Sequence, residues 1–161
     1  MKQDRFLLGI LIFIGVLILL ALGLFLARNE PPAYAAEDNP QGVVNNYILA
    51  LDQGDFERAY GYLAEQENKP TYAAFLNAVR TQQLGDSGTT LQLGDVQMLS
   101  EGEAWVSVSV VFAGSGLFDS GWTNVDRAAL LLQDGAWKIT YLPYPWWGWD
   151  WYTLTLEPPK P

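Results

Sequence analysis

Cysteine and histidine are both absent from the 161 residues. Without cysteine there is no disulfide framework, no thiolate metal site, no cysteine nucleophile and no thiol to lipidate after a hydrophobic stretch. Without histidine, the usual general base at neutral pH and the commonest metal ligand are missing. Ser115 and Ser120 therefore have nothing to activate them in a serine triad. Positive charge is also scarce. From Asn29 onward, 6 Lys and Arg stand against 17 Asp and Glu, a net of −11. Such a surface repels phosphate backbones and anionic headgroups, which argues against a nucleic-acid partner. The acidic pairs Glu37-Asp38 and Glu101/Glu103 lack the ligand spacing of a calcium loop, so no metal and no cofactor are expected.

What is present in excess lies at the N-terminus. Residues 6 to 27 read FLLGILIFIGVLILLALGLFLA. None of them is charged, and none is Pro, Asn, Gln, Ser or Thr. As a helix the run is about 33 Å long at 1.5 Å per residue, enough to cross a hydrocarbon core of about 30 Å. Lys2, Arg5 and the α-amino group precede it, opposed only by Asp4, whereas Glu30, Glu37 and Asp38 follow. The positive-inside rule then predicts a cytoplasmic N-terminus and an extracytoplasmic C-terminal domain. Arg28 is a mild counter-signal. Ala33-Tyr34-Ala35 has the small-x-small form of a signal-peptidase site, but the apolar run exceeds an ordinary signal core. The expected reading is a retained single-pass anchor in the cell membrane.

The predicted order is a cytoplasmic start at 1–5, a span at 6–27, a stalk at 28–39, a domain at 40–156 and a Pro-rich tail at 157–161. Pro31-Pro32 stiffens the stalk. A domain of this length buries a core without metal or disulfide support. Asn39 followed by Pro40 is a helix start, with Val43, Val44, Tyr47, Ile48 and Leu51 on one face and Gly54 as the stop. Asp55 caps a second helix carrying Phe56, Ala59, Tyr60 and Leu63. A third helix is expected from about Thr71 to Leu84, with Tyr72, Phe75, Leu76 and Val79 inward.

Beyond Gly88 the period becomes two. Residues 89–99 read as a strand with a bulge at Gly94-Asp95. Ala104, Val106, Val108, Val110 and Phe112 alternate with Trp105, Ser107, Ser109 and Val111 in the next. Residues 113–124 read as a glycine-rich loop and 125–133 as a third strand. Asp134-Gly135 is a two-residue hairpin turn leading into a fourth strand, 137–142. The pattern predicts an α+β fold: three helices packed on a curved antiparallel sheet of four to five strands, with a conical cavity between the layers.

The run Gly54-Asp55-Phe56-Glu57-Arg58-Ala59-Tyr60, the hairpin Asp134-Gly135-Ala136-Trp137-Lys138-Ile139 and the order of elements resemble the nuclear transport factor 2-like superfamily. That cone-shaped fold includes the SnoaL-like proteins and ketosteroid isomerase. The resemblance covers about residues 40–142 and is nearest to small bacterial membrane-anchored members of unassigned function. It implies a fold and leaves activity open, because the superfamily holds both enzymes and non-catalytic binding domains.

Two functional readings follow. The first is a membrane-anchored, extracytoplasmic, non-catalytic binding or assembly module. The membrane would be engaged through residues 6–27, and an envelope protein or glycan would be the partner. The second is a cone-fold isomerase or dehydratase acting on a small apolar substrate, which needs a buried base and a donor drawn from Tyr47, Tyr60, Tyr72, Asp119 and Asp126. No catalytic motif selects among these residues. The unusual feature is Tyr144-Pro145-Trp146-Trp147-Gly148-Trp149-Asp150-Trp151-Tyr152, with four Trp in six positions. In an extended chain Trp147, Trp149 and Trp151 share one face. Those three and Tyr144 are the predicted ligand or partner surface. Core packing and docking at a membrane interface are the competing uses of the same rings.

Overall fold

The structure is a computed structural model describing residues 5–28, 32–81, 84–85, 88–112, 114 and 121–152. The chain divides into two compact units, residues 1–33 and 34–161. In the first, helix α1 spans Arg5–Arg28. Its window Leu7–Leu24 has a mean hydropathy of 3.1, and none of it is buried. An apolar helix of that length is a candidate membrane span or signal sequence.

The second unit is α+β, with three helices and an open four-stranded antiparallel sheet in the order β1-β2-β3-β4. Helix α2 spans Pro40–Gln53. Asn39 Oδ1 accepts from Gly42 N–H at 2.8 Å at its start, and Gly54 closes it in the left-handed region at φ 73°. Only glycine enters that region without a Cβ penalty, which is why the helix stops there. Its stripe of Val43, Val44, Tyr47 and Ala50 is fully buried. Helix α3 (Phe56–Gly61) is capped by Asp55, and α4 (Tyr72–Arg80) by Thr71. Of the three, α2 makes the main contact with the sheet; α3 packs on α2, and α4 on α3. Helix α4 ends at Arg80, short of the expected Leu84.

The strands are β1 (Thr89–Ser100), β2 (Glu103–Phe112), β3 (Trp122–Gln133) and β4 (Ala136–Tyr141). In β2, Ala104, Val106, Val108 and Val110 are buried, and the alternate residues face away. On that opposite face the Arg127 guanidinium lies 3.9 Å from the centre of the Trp105 ring. The β1–β2 register slips between Leu93 and Val96, at the glycine-aspartate pair expected to bulge. Asp134 (φ 52°) and Gly135 (φ 80°) supply the two positive φ angles of a tight hairpin. Strand β3 begins three residues earlier than expected, because Trp122 pairs with Phe112 and their rings stack at 3.8 Å.

The free edge of β4 is covered by residues 62–64. Ala64 N–H donates to the Ile139 carbonyl at 2.9 Å, and Ile139 N–H donates to the Tyr62 carbonyl at 2.8 Å. No fifth strand forms from the described part of the aromatic segment. Residues 144–147 and 149–152 are turns and bends. Pro143 and Pro145 have no N–H for a ladder, and Trp146 N–H turns back to the Pro143 carbonyl at 3.1 Å. Residues 34–39, expected to be stalk, belong to the second unit. Asp119, Ser115, Ser120 and the tail 157–161 lie outside the described residues.

Candidate functional site

Two of the recesses in the second unit have features of a candidate site. The first is a groove of about 280 Å³ lined by Tyr141, Leu142, Tyr144, Trp147, Gly148, Trp149 and Trp151. All four residues expected to form a partner surface line it. They do not share one exposed face, however. Trp149 is 87% exposed and Tyr144 65%, whereas Trp147 and Trp151 are each only 7% exposed. The extended geometry assumed for the segment fails because the chain turns at Gly148, where Trp151 N–H donates to the Gly148 carbonyl at 3.2 Å. A Cβ at position 148 would sit 2.3 Å from Trp151 Nε1, so glycine is what lets the indole fold under the turn.

Trp147 and Trp151 thus form the floor. Trp151 meets Trp147 edge-on at 5.1 Å and packs on Phe75 at 5.7 Å, and Trp147 stacks on Tyr152 at 5.6 Å. Tyr152 is itself pinned, its hydroxyl donating to the Ala64 carbonyl at 2.6 Å. Trp146 turns the other way, into the core, and its carbonyl accepts from the buried Tyr47 hydroxyl at 2.9 Å. The groove therefore has a fixed aromatic floor and a rim carrying two exposed rings. Rigid amphipathic rings offer contact area at low entropic cost.

The second recess, of about 490 Å³, lies where residues of all three helices approach β1. It is lined by Ile48, Leu51, Phe56, Val79 and Leu91, with Trp146 among its walls. Three polar side chains, Asp52, Thr89 and Thr90, interrupt the apolar lining. Asp52, on the last turn of α2, has its carboxyl pushed above the ordinary range by desolvation. Thr89 Oγ1 is buried without a hydrogen-bond partner.

Of the groups expected for an enzyme, the four among the described residues, Tyr47, Tyr60, Tyr72 and Asp126, do not line it. The Tyr47 hydroxyl is committed to Trp146, and burial raises its pKa further. Tyr60 donates to the Pro70 carbonyl at 2.8 Å and packs edge-on against Tyr72 at 5.2 Å. Asp126 lines a different recess with Trp105 and Arg127, and its Oδ2 accepts from the Tyr141 hydroxyl at 3.3 Å.

No family model matches this sequence. No curated protein matches it. Among solved structures, the chain is similar to an NTF-2 like protein of unknown function from Shewanella oneidensis MR-1. The two are 19% identical, with 61% of this chain and 88% of that chain covered, at a TM-score of 0.44.

Sequence reasoning missed Asp52, Thr89 and a polar cluster where the second unit begins. In that cluster Glu37 Oε1 accepts from Arg58 Nη2 at 2.7 Å and from the Tyr62 hydroxyl at 2.6 Å. Asn46, fully buried in α2, holds Ala35. Two signals were there to find. Asp52 places negative charge in the last turn of a helix, where the dipole disfavours it. Asn46 interrupts the apolar stripe between Val43 and Ala50, and a buried amide requires partners.

Proposed function

We propose that this chain is a membrane-anchored, extracytoplasmic binding module that holds an envelope partner on the groove rimmed by Tyr144 and Trp149. The observation that carries the reading is the contrast within one segment. Trp147 and Trp151 are locked as a floor, while Trp149 is left 87% exposed directly beside them. Desolvating a ring that size contributes on the order of 1.5–3 kcal/mol when a partner covers it. The charge bias across α1 supports a cytoplasmic N-terminus, and the net charge of −11 after it suits an exported, soluble domain. The partner's matching chemistry is a flat apolar face, as a sugar ring or a protein side chain presents.

The test places a photocrosslinking residue at position 149 of the full chain in intact cells. A discrete adduct that disappears on Tyr144→Ala is expected. Protease sensitivity of the adduct marks a protein partner, and glycosidase sensitivity marks a glycan. Absence of any adduct, or one indifferent to Tyr144→Ala, overturns the reading. For topology, a reporter active only outside the cytoplasm should be active when fused after Pro161.

A second reading, a small-molecule enzyme, has one observation in its favour: a recess whose lining includes the exposed Asp52 carboxyl, its pKa raised, and an unpaired buried hydroxyl. Asp52 would be its base, and Thr89 would orient the substrate. It requires Asp52→Asn to abolish turnover of a small apolar substrate while leaving the fold intact.

A further inference from the structure

The segment Tyr34–Glu37 overlaps the sequence of a processing site and is also held in place: Tyr34, Ala35 and Glu37 are bonded to side chains of the domain, and Ala36 lies close against Gly42. Ala33-Tyr34-Ala35 would direct a signal peptidase to the bond between Ala35 and Ala36. Hydrolysis there adds water across that bond, leaving a carboxylate on Ala35 and an amine on Ala36. A protease of this kind reads its substrate as an extended strand, pairing with the backbone around the scissile bond while small side chains enter its pockets.

In the folded unit that backbone is already taken. Ala35 N–H donates to Asn46 Oδ1 at 2.7 Å, and the Ala35 carbonyl accepts from Asn46 Nδ2 at 2.9 Å. One residue earlier, the Arg58 guanidinium lies 3.5 Å from the centre of the Tyr34 ring, and the Tyr34 hydroxyl reaches Asp55 Oδ2 at 3.4 Å. One residue later, the Ala36 carbonyl occupies the space a Cβ on Gly42 would need, 2.0 Å away. Beyond it, Glu37 is held by Arg58 and Tyr62. The side chains of Ala35 and Ala36 are exposed, so burial is not what restricts access. The restriction lies in the backbone groups.

We propose that residues 34–37 form a strap whose docking on α2 and α3 shields the Ala35–Ala36 bond from signal peptidase, so that folding of the domain keeps the anchor attached. Asn46 is the central residue of the device. It is fully buried in a helix, and its amide is satisfied by the backbone of the residue that a protease would have to seize. Cleavage has to precede docking or wait for the strap to open. Once made, the cut removes Ala35 with the leaving fragment and strands the Asn46 amide. In the cell this requires the export assumed above; the chemistry of the shield does not, and the test is made in vitro.

The experiment incubates purified signal peptidase with the full chain in detergent micelles and, in parallel, with a synthetic peptide of residues 20–45. Products are read by mass. The peptide should be cut between Ala35 and Ala36, and the folded chain should be cut about tenfold more slowly or less, because cutting waits on local opening. Gly42→Ala and Asn46→Ala should restore most of the peptide's rate, with circular dichroism confirming the fold. Should Asn46→Ala not fold, Glu37→Ala serves as the second variant. The proposal fails if the peptide is not cut, if the folded chain is cut as fast as the peptide, or if folded strap variants are cut no faster than the parent.

Discussion

The amide of Asn46 grips Ala35 from both sides, accepting its N–H at 2.7 Å and donating to its carbonyl at 2.9 Å. Eleven residues separate the two, and Asn46 is wholly shielded from solvent. The pair shifts the start of the domain from Pro40, where the first helix begins, to Tyr34. Glu37 extends the same attachment to α3 through Arg58 and Tyr62. What reads as linker in the sequence is part of the fold.

A truncation pair measures that attachment. A chain beginning at Tyr34 should be soluble and unfold in one cooperative transition. A chain beginning at Asn39 keeps every helix and strand of the unit but strands the buried Asn46 amide and removes Glu37. Urea unfolding should show it less stable by about 2–4 kcal/mol, mostly the cost of an unsatisfied buried amide. Equal stability of the two chains would mean that residues 34–38 only rest on the surface.

Acid should loosen the same attachment. Hydrogen bonds from Tyr62 and then Arg58 hold the Glu37 carboxyl below its ordinary pKa. A group depressed in the folded state contributes stability above its unfolded pKa and loses it as pH falls through the folded value. The protection of the Ala35 amide, its exchange compared with the intrinsic rate at each pH, should therefore fall below the ordinary carboxylate range. In Glu37→Gln that acid-dependent step should be absent. Protection of Ala35 that does not change with acid in the parent protein would remove Glu37 from the account.

Asp52 should act in the opposite direction. Desolvation raises its carboxyl pKa in the folded state. Such a group costs nothing while protonated, and it lowers stability as pH climbs from the ordinary carboxylate value through the raised one. Asp52→Asn should accordingly be more stable than the parent at neutral pH and indistinguishable from it in acid. Chemical unfolding at both pH values reads this directly. A variant less stable at neutral pH would show that the ionised carboxylate has a stabilising role.

The elements that were legible in the sequence are those set by local chemistry. Asn39-Pro40, Gly54 and Asp55 mark helix ends through bonds spanning a few residues, and Asp134-Gly135 marks a hairpin through its own backbone angles. Alternation from Ala104 to Val110 sorts the faces of β2 because a pleated strand has no other choice. Contacts distant in sequence were not legible. The bond from Tyr47 to the Trp146 carbonyl spans 99 residues, and that from Tyr62 to Glu37 spans 25. The aromatic segment sits between these cases. Its four ring positions line one groove, but their even spacing implies the period of a strand with one exposed face, and the turn at Gly148 replaces that period with a buried floor and an exposed rim.

The Trp residues then separate by position, and single substitutions should resolve them. Trp146 is 3% exposed and Trp147 and Trp151 are 7% exposed, each packed in the core cluster. Replacing any of these by Ala removes a large buried ring and leaves a cavity, so each should cost about 3–5 kcal/mol. Trp149→Ala removes a ring already in water and should change stability by no more than about 0.5 kcal/mol. Gly148→Ala provides an independent check, because its new Cβ collides with the Trp151 indole. It should destabilise as a Trp151 substitution does while leaving Trp149 chemically accessible. Melting curves give the first quantity, and acrylamide quenching of Trp fluorescence gives the second. If Trp149→Ala destabilises as much as Trp147→Ala, the exposed ring is structural and the groove has no free rim. If Trp149→Ala leaves melting unchanged but abolishes the crosslinked adduct expected at the groove, the rim is the binding surface and Trp147 and Trp151 are its support.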